Sequence, residues 1–151
     1  MQNLRMWLNL EGLTKDFGKD DCVIVMAGGN DEEDTNFQDG FREGIRKIMA
    51  VKDRMNVIII ASPLRYDKPV LEEKVKWMNR FLHGEVNRQG EWQNQNVRMN
   101  FKMERMDRSH FTRHGLHLNF CGKNAVCEKI CALVRDFDKK DNCQRCAFLG
   151  H

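Results

Sequence analysis

Two short runs constrain this chain more than anything else in it. Cys22-Val23-Ile24-Val25-Met26-Ala27 and Val57-Ile58-Ile59-Ile60-Ala61 are continuous, rich in β-branched residues and free of internal charge. A strand that shows one face to water alternates apolar with polar residues. A strand with no alternation is buried on both faces, the usual situation in a parallel sheet covered by helices. Between the two runs, Phe37, Phe41, Ile45 and Ile48 recur three or four residues apart, with Asp34, Thr35 or Asn36 available as the helix cap. Strand, amphipathic helix, strand is the unit from which parallel sheets are built.

The alternation continues. Leu71, Val75, Met78 and Leu82 form a helical stripe behind Pro69, a first-turn proline. Asn96 to Phe101 alternates apolar and polar residues as a weaker third strand, and Val126, Ile130, Leu133 and Phe137 form a last helix after Gly122. Residues 2–17 are expected to be helical, with a poorer pattern. Residues 83–95 are polar and turn-rich and read as a loop. From Lys139 the chain is charged and then carries two cysteines, as a tail extending past the domain. The sequence therefore predicts an α/β domain with a parallel sheet over residues 1–137 and a tail over 138–151. Ligands of such sheets bind outside the carboxyl ends of the strands. Gly28 to Asp31 and His110 to Asn119 are expected at that edge.

A length of 151 residues suits one domain with a core of its own. The net charge of +3, from 25 basic and 22 acidic side chains, does not by itself call for nucleic acid or an anionic membrane. No stretch is long and apolar enough for a membrane span, and the N-terminal residues lack the apolar core of a signal peptide. A cytoplasmic setting follows as the expectation, with the six cysteines mostly as thiols.

Two segments carry candidate chemistry. Gly28-Gly29-Asn30-Asp31 directly follows a buried strand, where paired glycines allow a tight turn and an Asn amide can face a developing oxyanion. The same residues suit a plain strand-ending turn. Arg113-His114-Gly115-Leu116-His117-Leu118-Asn119 precedes the last helix, and a histidine there can act as a general base or lie idle at the surface. Cys127, Cys131, Cys143 and Cys146 could in principle hold zinc, but their spacing fits no common module, so no metal or cofactor is expected. Arg42, Arg46, Lys47 and Lys52 on one helix, and Lys68, Lys74, Lys76 and Arg80 on or near another, are mixed with Glu43, Glu72 and Glu73. They read as solvated faces. An RNA-binding face would need them one-sided, with Trp77 or Trp92 stacking on bases.

Taken together, a strand ending in Gly-Gly-Asn-Asp, a later strand ending in Ser62-Pro63 and a late Gly-Leu-His-Leu-Asn leading into the last helix resemble the SGNH (GDSL-type) hydrolases over about residues 20–137. The resemblance implies a three-layer flavodoxin-like sheet and ester hydrolysis through an acyl-serine, with a small ester as substrate. Gly28 would stand in the motif turn, Asn30 as the oxyanion-hole donor and His117 as the base. SGNH-like domains also occur in retrotransposon reading frames, so a mobile-element origin is one implication.

The departures weigh as much. The family nucleophile lies in a Gly-Asp-Ser block upstream of the Gly-x-Asn-Asp strand, and the only serines here are Ser62 and Ser109. No residue is assigned as nucleophile. His114 stands three residues before His117, where the family has the Asp that orients the base. Asp107, the nearest upstream acid, matches nothing at that spacing. The family's first strand would precede Met1. The chain is thus expected to be an inactive SGNH-like fragment or, alternatively, a dead module binding RNA or protein. The Cys22 to Ala27 strand would then show an unpaired edge open to self-association.

Overall fold

The computed structural model of the protein describes residues 9–26, 36–88, 96–138 and 145–149. Its centre is a four-stranded, all-parallel sheet in the order β3-β2-β1-β4. The elements run β1 (Asp21–Met26), helix α1 (Phe37–Val51), β2 (Asn56–Ile60), helix α2 (Glu72–Arg88), β3 (Val97–Asn100), helix α3 (Phe120–Asp138) and β4 (Arg145–Leu149). Residues 9–13 are helical and precede β1. Among the described residues, no helix is long and apolar enough to cross a membrane.

The two apolar runs are the two central strands, and the period of two in a strand divides their side chains between the faces. Val23, Val25, Val57 and Ile59 face a core made with Phe37, Phe41, Ile45 and Ile48 of α1 and Val75, Met78 and Leu82 of α2. Leu10, in the 9–13 segment, joins that core. Cys22, Ile24, Ile58 and Ile60 face the other way, towards Val126, Leu133 and Phe137 of α3 and Met103, Met106 and Phe111 of the loop before it. Both faces are covered, as continuous apolar strands require.

Four expectations are revised. The segment from 138 onward does not simply extend past the domain. Its residues Arg145–Leu149 pair with β1 in parallel, Asp21 opposite Arg145 through Val25 opposite Leu149. The β1 edge expected to stand open is therefore occupied, and self-association through it loses its basis. The physical reason is that backbone groups beside a buried strand need partners, and a short Cys-Ala-Phe-Leu run supplies them. Secondly, part of the expected loop 83–95 is helix, because α2 continues to Arg88. His83 stacks on Phe101 at 3.7 Å between ring centroids and meets Glu104 at 2.9 Å, which anchors the added turn. A single Gly84 costs a helix only about 1 kcal/mol. Thirdly, of the three cap candidates, Asn36 stands at the start of α1 without a side-chain capping bond, and Asp34 and Thr35 lie outside the described residues. Fourthly, of the expected helix over 2–17, the described part is 9–13, closed by Thr14, whose hydroxyl donates to the Leu10 carbonyl at 2.7 Å.

Candidate functional site

The carboxyl ends of β2 and β3 lead into two loops that are built against each other. β3 ends at Asn100, fully buried. Its backbone carbonyl accepts from Ala61 N–H at 2.9 Å, and its side-chain oxygen accepts from Lys102 N–H at 3.0 Å. The Asn100 amide nitrogen has no partner among the described residues. After β2, Ser62 is buried, and its backbone N–H and carbonyl are both clamped by the Asn79 side chain, at 3.0 and 2.8 Å. Tyr66 then reaches across, donating its hydroxyl to the Met106 carbonyl at 2.9 Å and laying its ring 5.0 Å from that of Phe111. Arg65 donates to both oxygens of Asp67 at 2.8 Å. Those hydrogen bonds hold the Asp67 carboxyl below its ordinary value.

The loop after β3 is stitched by backbone contacts. Asp107 opens a 3₁₀ turn over Arg108–His110. One of its carboxylate oxygens accepts from the Ser109 N–H at 2.9 Å and from the Ser109 hydroxyl, and faces His110 Nδ1 at 3.1 Å. The Ser109 bonds hold this carboxyl too below its ordinary value. Phe111 and Leu118 then form an antiparallel bridge, closed by Thr112 N–H donating to the His117 carbonyl at 2.8 Å. The bend falls at Gly115, whose φ of 76° suits glycine and whose Cα abuts Tyr66; a Cβ there would lie 2.8 Å from Tyr66 Cβ.

Asn119 joins this bridge to α3. Its amide donates to the Ser109 and Phe111 carbonyls at 2.6 and 3.1 Å, and its side-chain oxygen accepts from Gly122 N–H at 3.0 Å. Gly122 packs so closely that a Cβ would collide with the His110 carbonyl oxygen.

The candidate residues fare unequally. His117 lies in the bridged segment with an exposed side chain, and His114 is exposed at the same bend. Gly28 and Asn30 lie outside the described residues, and so does the expected pocket shared by Asn30 and His117. Asp107 engages His110 and not His117. The sequence held that signal, since Asp107 and His110 have the three-residue separation of the family's Asp-x-x-His block.

A groove of about 410 Å³ opens beside these loops, lined by Leu64, Asn79, Arg80, His83, Glu104 and Arg105. Placing His83 in a loop concealed this groove from sequence reasoning. A cavity of about 350 Å³ lies at the opposite end of the sheet, where Leu10 and Lys15 meet Val51 and Arg54.

Trp77, considered as a base-stacking residue, is engaged within the protein. It meets Phe37 and Phe41 edge-on at 5.5 and 6.2 Å, stacks on Phe81 at 5.5 Å and carries the Arg42 guanidinium 5.3 Å from its ring centre. Trp92 lies outside the described residues. Several basic residues of α1 and α2 are neighbours of acids: Arg46 with Glu43 at 2.5 Å, Arg42 with Asp39 at 3.5 Å, Lys76 with Glu72 at 2.5 Å. Cys127 and Cys131 are exposed on α3, and Cys146 is in β4 beside Cys22. Among the described residues, no three His, Cys, Asp or Glu side chains gather as metal ligands. No family profile, curated protein or solved structure matches the chain.

Proposed function

We propose that the chain is an SGNH-hydrolase-like domain of flavodoxin-like type that performs no serine-esterase chemistry and serves as a protein-binding module. The observation that carries this reading is the state of its two serines. Ser62 is buried, with its backbone clamped by Asn79, and the Ser109 hydroxyl donates its hydrogen bond to Asp107. A serine nucleophile needs its hydroxyl held by the imidazole that will take its proton. At the Asp107 cluster, the serine and the histidine instead share one carboxylate oxygen.

Further support comes from the sheet. In a flavodoxin-like order, 2-1-3-4-5, the last three strands lie side by side, as β1, β2 and β3 do. β4 occupies the position where the resemblance puts the family's first strand. The choice of protein over RNA rests on Trp77, whose ring is already packed, and on basic residues already beside acids. RNA binding needs free stacking faces and one-sided positive charge.

The test combines a fluorophosphonate probe, short p-nitrophenyl esters and a fluorescent single-stranded RNA. The expected result is no labelling, ester turnover at the buffer rate and no RNA binding at physiological salt. Labelling lost in Ser109→Ala, or turnover lost with it, would overturn the inactive reading. Salt-sensitive RNA binding in the micromolar range would overturn the choice of partner.

A further inference from the structure

The walls of the groove beside the β2 and β3 loops come from three pieces of chain. Lys76, Asn79, Arg80 and His83 stand at positions i, i+3, i+4 and i+7 of α2 and so share one face of that helix. Leu64 comes from the loop after β2, and Glu104 and Arg105 from the turn after β3. We propose that this groove binds an acidic peptide segment of a partner protein, with one large apolar side chain laid against Leu64 and flanking carboxylates engaging Arg80 and Arg105. The proposal rests on the protein-binding reading above and gives that reading a place and a partner chemistry.

Rigidity is the first support. Asn79 is buried, and its amide clamps both backbone groups of Ser62, which fastens the segment leading to Leu64 onto α2. Glu104 and Arg105 lie between Met103 and Met106, both buried in the α3-side core, so the turn that carries them is anchored on either side. His83 is held by Phe101 on one ring face and by Glu104 at 2.9 Å. Walls fixed before binding lose little further freedom when a ligand arrives.

Charge is the second. The cations Lys76, Arg80 and Arg105 line the groove against one carboxylate, Glu104. That carboxylate faces His83, and Lys76 is drawn to Glu72 at 2.5 Å. Arg80 lies 3.9 Å from Glu73, with both side chains largely exposed, so water screens the pair. Arg105 is exposed and makes no ion pair among the described residues. The surplus is positive, and its two arginines can turn to carboxylates, which a guanidinium fork matches in shape.

Shape is the third. At about 410 Å³ the groove falls among small-ligand sites and has room for one or two side chains, not for a whole helix. Leu64 and the methylene stems of Lys76, Arg80 and Arg105 give it apolar surface below charged ends. A nucleic acid would want an aromatic face for its bases. The ring in this lining, His83, is already stacked on Phe101.

The experiment titrates the full 151-residue chain, isotope-labelled for amide spectra, with three synthetic peptides. They are acetyl-Asp-Glu-Leu-Phe-Glu-Asp, the same peptide with Lys and Arg replacing the acids, and the same peptide with Ser replacing Leu and Phe. The first should bind in the high-micromolar range, weaken as salt rises, and move the amide signals of Leu64, Arg80, His83, Glu104 and Arg105. The other two should bind at least about tenfold more weakly. Arg105→Glu should cost the first peptide about tenfold in affinity, and Arg105→Lys much less. The shift map on the unmodified chain stands whether or not either variant folds well. Equal binding of the three peptides, amide shifts outside the groove, or unchanged affinity in Arg105→Glu would overturn the proposal. A single-stranded oligouridylate that moves the same amides at lower concentration than the first peptide would overturn the choice of a peptide. Selection from a displayed random-peptide library separates this failure from that of the broader reading. Selected peptides that bind elsewhere on the chain sink the groove and leave the protein-binding module standing, whereas a library that yields no binder sinks both.

Discussion

The two faces of the sheet are held by different means. On one side, α1 and α2 lie on Val23, Val25, Val57 and Ile59 through aliphatic side chains and the aromatic group Phe37, Phe41, Trp77 and Phe81. On the other, α3 packs on Ile24 and Ile58, but the loop leading into it is fixed by directed polar contacts: Asp107, Asn119, Tyr66 and the two close-packed glycines. The first side depends on area removed from water, which tolerates many sequences of the right period. The second depends on a few atoms at set distances. It is also the side that shapes the carboxyl edge, where an α/β sheet places its ligands.

The contrast can be broken by experiment, starting with the largest expected effect. Phe41→Ala empties a fully buried ring site between α1, α2 and the sheet. It should cost about 3–5 kcal/mol in urea unfolding. Gly122→Ala forces a methyl group against the His110 carbonyl oxygen and should cost about 1–3 kcal/mol. If Gly122→Ala proves neutral, the α3 entry is looser than its geometry implies.

Asn119→Ala removes two donated bonds and one accepted bond from a partly exposed side chain, at about 1–2 kcal/mol. Its loss should appear first as faster amide exchange over residues 108–122, with α1 and α2 unchanged. Equal acceleration in α1 would mean that the two faces are not separately held.

The smallest effect concerns acid. The Asp67 and Asp107 carboxyls are held below the ordinary value of 3.8, by the Arg65 and the Ser109 hydrogen bonds respectively. A depressed folded pKa contributes stability that is present above the unfolded value and lost as pH falls through the folded one. Melting temperature should therefore fall more gently below pH 4 in Asp67→Asn and Asp107→Asn than in the parent chain. Identical acid slopes would show that neither pair contributes measurably.

The same division explains what could be read from the sequence. Phe37, Phe41, Ile45 and Ile48 announce a helix because burial imposes a period, and the Cys22 and Val57 runs announce covered strands for the same reason. Contacts such as Tyr66 to the Met106 carbonyl, or Asn119 to Ser109, impose no period and leave no pattern. His83 was hidden in a polar stretch because its partners, Phe101 and Glu104, are distant in sequence. Arg145–Leu149 escaped because five residues after a charged segment are too few for periodicity, and their partner lies near the other end of the chain. Of the candidate site, Gly28 and Asn30 lie outside the described residues, and His117 stands as an exposed residue of the bridged loop. The three-residue spacing of Asp107 and His110 is in the sequence, whereas the sharing of one Asp107 oxygen between Ser109 and His110 follows from the loop's path.

That last strand also sets a timetable for synthesis. β2 follows β1 out of the ribosome after a single helix, so one side of β1 can pair promptly. Its other side must wait until Arg145–Leu149 have been made. Throughout elongation the nascent chain carries a half-satisfied apolar strand, the kind of surface that chaperones capture and that neighbouring nascent chains can misjoin. Completion of the sheet thus waits on a strand made long after its partner, and its yield should respond to elongation rate and chaperone supply more than its core composition suggests.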